Sequence, residues 1–168
     1  QEEERHSIDT SIETIYLLRI IASNVNATMN HGIPVRGIIQ LGQYLRTRGS
    51  SVDFVKLDHW LSKLHIPRFA QLQGSILISL FGFEATELPF VKQLEKNAVL
   101  YTVRSIENVE KDTEDWNFRQ GNRVFVHNNQ KMLRKNLRRS LRYVDYAPIE
   151  TTSNFISNFS HSLSEIEE

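Results

Sequence analysis

No charged side chain stands between Arg68 and Glu84, and Phe69, Ala70, Leu72, Ile76, Leu77, Ile78, Leu80, Phe81 and Phe83 fill most of the interval. At about 100° per residue, Arg68, Gln71, Ser75 and Ser79 fall on one narrow strip, and nearly every other direction is apolar. Such a helix has to sit among other helices, because no single contact face can cover it. Pro67 suits the first helical position and Gly82 the left-handed stop just past the last. The spacing therefore predicts a central helix over about residues 67–82, with Ile76, Leu77, Leu80 and Phe81 among the most buried side chains.

The flanking segments supply the neighbours. Phe54, Leu57, Leu61 and Leu64 recur at helical spacing behind Ser50 and Asp53, which suit a cap, and His65-Ile66-Pro67 leaves room only for a tight corner. Upstream, a first helix over about 9–26 gathers Ile8, Ile12, Ile15, Leu18 and Val25 on one face, with Thr10 and Glu13 as a capping box. After the turn at 30–34, Pro34 opens a second helix carrying Val35, Ile38, Leu41 and Leu45, closed by Arg46, Arg48 and Gly49. Downstream, a short helix is expected over 87–96. Residues 98–115 read two ways: Val99, Tyr101 and Val103 alternate like a strand, while Val99, Val103, Ile106 and Val109 recur like a helix. Helix is preferred, since a lone strand has nothing to pair with. Residues 112–123 are expected as a loop, 124–143 as a long helix, and Pro148 opens a last one. The expectation is an all-α bundle of about six to eight helices, one domain over 1–168, with tails 1–6 and 164–168 frayed.

Composition narrows the chemistry. In 168 residues, 20 Lys and Arg balance 20 Asp and Glu, so no whole-chain field points to nucleic acid or an acidic membrane. There is no cysteine, which excludes disulfides, thiolate metal sites and cysteine nucleophiles and fits a reducing, cytoplasmic setting. No uncharged apolar run reaches the roughly 18 residues of a membrane span. Histidines 6, 31, 59, 65, 127 and 161 lack metal-ligand spacing, and neither a Gly-rich phosphate loop nor a nucleophile elbow occurs. No catalytic residue, metal or cofactor is assigned. Trp60 and Trp116 are each able to stack on a base, but packing is the commoner use.

The sharpest local feature is Lys131 to Tyr143, KMLRKNLRRSLRY. On a helical wheel Lys131, Arg134, Lys135, Arg138, Arg139 and Arg142 share one side, opposite Leu133, Leu137, Leu141 and Val144. A basic face of this kind holds the phosphates of a nucleotide, a nucleic acid or a membrane surface, and arginine suits bidentate phosphate contact. The alternative is a solvated face, or one paired with the acidic stretch 107–114.

Several stretches resemble the helical half of the uncharacterised nucleotidyltransferase-like proteins, common in bacteria, which carry a polymerase-β-type transfer domain followed by helices. The matching residues are His31-Gly32-Ile33-Pro34-Val35-Arg36-Gly37-Ile38-Ile39-Gln40, then Leu57 to Leu64, Ile76 to Phe83, and Leu137-Arg138-Arg139-Ser140-Leu141-Arg142-Tyr143-Val144-Asp145-Tyr146-Ala147-Pro148. Gln40 stands where that family has Asp. Nucleotidyl transfer also needs a Gly-Ser turn followed by carboxylates one residue apart for the metal ions. Gly49-Ser50 is followed by Asp58-His59-Trp60, Gly74-Ser75 falls inside the apolar helix, and Asp112-Thr113-Glu114 has no such turn before it. The resemblance thus implies a non-catalytic accessory domain, working with a transfer domain in cis or standing alone. In that role Arg36, Arg134, Arg138, Arg139 and Arg142 would line a phosphate-facing surface. The rival expectation is a helical adaptor whose basic helix 131–142 docks an acidic partner or nucleic acid.

Overall fold

The apolar stretch after Arg68 forms the helix on which the others pack. In the computed structural model residues 10–119 are described together with Arg142, Tyr143, Asp145 and Tyr146, with side chains over 12–108 and at those four positions. Five α-helices run through them: α1 (Thr10–His31), α2 (Val35–Arg48), α3 (Phe54–Lys63), α4 (Pro67–Phe81) and α5 (Ala98–Arg119). Two 3-10 turns, Gly49–Ser51 and Ala85–Glu87, stand between them, and no strand occurs among the described residues. The fold class is all-α, and α4 packs on each of the other four helices. The helices expected over 124–143 and after Pro148, and the two tails, lie outside the described residues apart from Arg142 and Tyr143.

Local chemistry explains the boundaries. Pro67 begins α4, and Gly82 ends it at φ 65°, the left-handed region. Asp53 caps α3, its carboxylate accepting from the Lys56 amide at 2.9 Å. The corner after α3 has the two bonds of a Schellman ending: Ile66 N donates to Leu61 O at 3.0 Å and His65 N to Ser62 O at 3.1 Å. The left-handed residue there is His65, at φ 57°, where glycine is usual. Buried Leu61 and Ile66 flank it on either side.

Three expectations are corrected. On α1 the buried face is Leu17, Ile21, Val25 and Met29 with Thr14, Asn24 and Thr28, while Ile12 and Ile15 stay outside. Those polar groups can be buried because each has a partner inside. Thr14 Oγ1 accepts from the Asp53 amide at 2.9 Å, Thr28 Oγ1 donates to Asn24 O at 2.7 Å, and Asn24 Nδ2 donates to Gln73 Oε1 at 2.9 Å. The second correction concerns the short helix expected over 87–96, of which residues 88–96 are not helical. Their amides are taken instead by the polar strip of α4: Lys92 N and Gln93 N each donate to Gln71 Oε1 at 3.2 Å, and Glu95 N to Ser75 Oγ at 3.0 Å. The middle of that strip is therefore covered, with Ser75 fully buried while Arg68 and Ser79 stay exposed, and Leu80 on the other side is 44% exposed. Third, the helix preferred over 98–115 forms, but α5 continues to Arg119, through most of the loop expected over 112–123.

The α1–α4 amide pair also fixes how close α2 comes. Gln73 Nε2 donates to Ile21 O at 3.1 Å, pinning both ends of its amide against α1. A Cβ on Gly37 of α2 would stand 1.9 Å from Asn24 Oδ1, so only glycine fits while Asn24 holds that position. Two outcomes follow for unfolding experiments. Leu77→Ala should cost about 2–5 kcal/mol, the range for emptying a packed aliphatic site, and Leu80→Ala less than about 1 kcal/mol; equal costs would mean that α4 buries a different face. Gly37→Ala should cost about 1–3 kcal/mol by overpacking. In an Asn24→Ala background the same change should become neutral or gain up to about 1 kcal/mol of helix propensity, and additive costs in that double-mutant cycle would refute the contact.

Candidate binding groove

Of the basic residues singled out in the sequence, Arg36 and Arg142 are described; Arg134, Arg138 and Arg139 lie outside the described residues. Arg36 is exposed in the first turn of α2. The turn before it is held to α5, where Ser105 Oγ accepts from the Ile33 amide at 3.0 Å. One turn back along α5, the Arg142 guanidinium stands 5.7 Å from the centre of the Tyr101 ring. The two arginines thus lie at the end of the bundle where the α1–α2 turn meets α5.

Beside Arg142, four aromatic rings close this end. Phe69, Tyr101, Tyr143 and Tyr146 have centroids 5.6–6.4 Å apart, mostly edge to face. Tyr143 is fully buried, with no hydrogen-bond partner for its hydroxyl among the described residues. Burial raises its pKa, with the charge on Arg142 pulling the other way. Tyr146 is tied down at its rim. Its hydroxyl donates to Glu95 at 3.2 Å, and its ring lies 4.4 Å under the Arg68 guanidinium. Arg68 Nε and Gln71 Nε2 donate to the same carboxylate at 3.1 and 2.9 Å.

Burial of Glu95 alone would raise its pKa; hydrogen bonds from Arg68, Gln71 and Tyr146, with the charge on Arg68, overcome that and hold it below 4.5. Burial and the facing carboxylate push Tyr146 up to about 12. Between the two Glu95 values the unfolded chain binds more protons, so this stabilisation is whole above about pH 4.5 and lost as pH falls through the folded value. Comparing wild type with Glu95→Gln should show the stability difference shrinking between about pH 5 and pH 3; parallel pH profiles would remove Glu95 from the clasp.

The other feature is apolar and open. Ile15 and Leu18 of α1 face Trp60, Lys63 and Leu64 of α3 and its corner across a pocket of about 250 Å³. Ile15 is 45% and Leu64 43% exposed, and Trp60 is half-buried. The pocket exists because α1 has two apolar stripes and packs with one. Its polar partners turn Leu17, Ile21 and Val25 inward, leaving Ile15 and Leu18 beside α3. On α3, Leu57 and Leu61 face the core, and Trp60 and Leu64 fall one step round the helix. Ile12, Ile15 and Leu18 share the face that periodicity assigns to the core, and periodicity alone marks no groove. The usable signal was the second stripe itself, Leu17, Ile21 and Val25, which makes one of the two surplus.

Among the described residues no group of three or more His, Asp or Glu side chains is placed to hold a metal ion, and no helix is long and apolar enough to cross a membrane. Comparison with protein-family models, with curated proteins and with solved structures finds no match to this chain.

Proposed function

We propose that the chain is a non-catalytic helical binding domain that takes an apolar segment of a partner protein into the groove between α1 and α3. One observation carries this reading: Ile15, Leu18, Trp60 and Leu64 form a concave, apolar and solvent-open surface on two helices whose own core faces are already filled. Concave apolar sites of this kind take helix anchors at i and i+3 or i+4. Trp60 is a ready anchor and reporter, being large, partly exposed and seated on a rigid helix.

A second reading keeps the expectation of a phosphate-facing accessory surface, alongside a nucleotidyl transfer domain in cis or a nucleic acid. It is favoured by Arg36 and Arg142 standing at the same end of the bundle. In that reading Arg134, Arg138 and Arg139 belong to the expected basic helix 131–142, one of about six to eight helices. Its measure is the salt dependence of nucleotide or oligonucleotide binding, which Arg36→Gln with Arg142→Gln should weaken.

The groove reading is tested with a Trp116→Phe variant, in which Trp60 is the sole indole. Titration with a net-neutral helical peptide bearing two leucine anchors should blue-shift its emission, and Ile15→Asp should abolish the shift while leaving the thermal midpoint within a few degrees. An unchanged spectrum at millimolar peptide would refute it.

A further inference from the structure

Among the described side chains, the charges that border the groove are cationic, which specifies its occupant. Among the described side chains, α1 and α3 carry carboxylates at Glu13, Asp53 being the cap, and Asp58. Glu13 is turned to α2, accepting from the Tyr44 hydroxyl and pairing with Arg48 at 3.7 Å. Asp58 is turned to the far flank, where Lys92 pairs with it at 3.1 Å. On the wheel Asp58 lies about 160° from Trp60, so no acid borders the pocket from α3. The cations are placed the other way. Lys63 lines the pocket, and Arg19 follows Ile15 by one turn on the exposed side of α1. An apolar floor therefore lies between cations on both rims.

We infer that the occupant is an acidic amphipathic helix of a partner protein. This rests on the groove reading above. The floor spans about one turn of helix from Trp60 to Leu64, roughly 6 Å, so it accommodates two anchors spaced i and i+4. Flanking positions i+1 and i+3 fall on opposite sides of that stripe. Asp or Glu at both would meet Lys63 on one rim and Arg19 on the other. The apolar anchors supply affinity; the carboxylates select against basic helices by like-charge repulsion and set the orientation.

The test uses the full chain and three peptides sharing one leucine stripe, with flanks all Glu, all Gln or all Lys, titrated by Trp60 emission in the Trp116→Phe background. A short single-stranded oligonucleotide is the fourth probe. Each exposed ion pair is worth up to about fivefold in affinity, so the Glu peptide should bind about 10- to 100-fold tighter than the Lys peptide at low salt. That ratio should collapse towards unity near 0.5 M salt, where screening is strong. Arg19→Glu with Lys63→Glu, both exposed positions, should invert the order while leaving the far-ultraviolet spectrum and melting midpoint in place. Three peptides binding equally, with no response to salt or charge reversal, would overturn the acidic partner and leave the groove reading standing. No binding by any peptide would sink both. Oligonucleotide binding that depends on Arg19 and Lys63, without acidic-peptide binding, would overturn the inference in favour of nucleic acid.

Discussion

The amide of Gln73, buried at the centre of α4, is the contact on which the remaining arrangement turns. It accepts from Asn24 and donates to the backbone of Ile21, so one polar group binds α1 in a single rotation and register. Leaving either partner unmet in that interior would cost on the order of 1–3 kcal/mol, which makes other rotations of α1 expensive. Thr14, hydrogen-bonded to the start of α3, adds a second fixed point ten residues away along the same face. With α1 held at two places, the positions of its surplus apolar residues follow. Ile15 and Leu18 have no course but to stand beside Trp60 and Leu64.

The same logic governs the opposite side of α4. Gln71 and Ser75 do not face water; they bind the amides of Lys92, Gln93 and Glu95 and so keep residues 88–97 out of a helix. That irregular segment in turn offers the Glu95 carboxylate to Arg68, Gln71 and Tyr146. A polar strip on an otherwise apolar helix thus becomes the seat of a loop, and the loop becomes the anchor of a tyrosine from the far end of the chain. These bonds to the backbone are individually modest, but each replaces an orphan amide that burial would penalise.

His65 joins the core to the groove. A left-handed backbone at a residue with a Cβ is costly by about 1–2 kcal/mol, and it is held by the two bonds that end α3. That corner directs Ile66 into the core and leaves Leu64 on the pocket wall, two positions apart in sequence. Core packing and groove shape are consequently coupled through a single turn.

Much of this was decided by the order of residues alone. Pro67 and Gly82 bound α4, Asp53 caps α3, and the apolar periods of α2, α3 and α4 place helices in an all-α fold, because caps and periodicity are local properties. Leu57, Leu61, Ile76 and Leu77 were legible as core for the same reason. The groove was not, nor was the fate of Leu80, because a wheel shows which residues share a face but not which face meets a neighbour. On α1 two apolar stripes competed, and the choice fell to Thr14 and Asn24, polar residues whose burial is worthwhile only once Asp53 and Gln73 arrive from distant parts of the chain. On α4 the middle of the polar strip, Gln71 and Ser75, was covered by a segment that no local rule attaches there. Periodicity is written in the sequence; the partner of a buried hydrogen bond exists only in the tertiary structure, and here it set which apolar surface was left for binding.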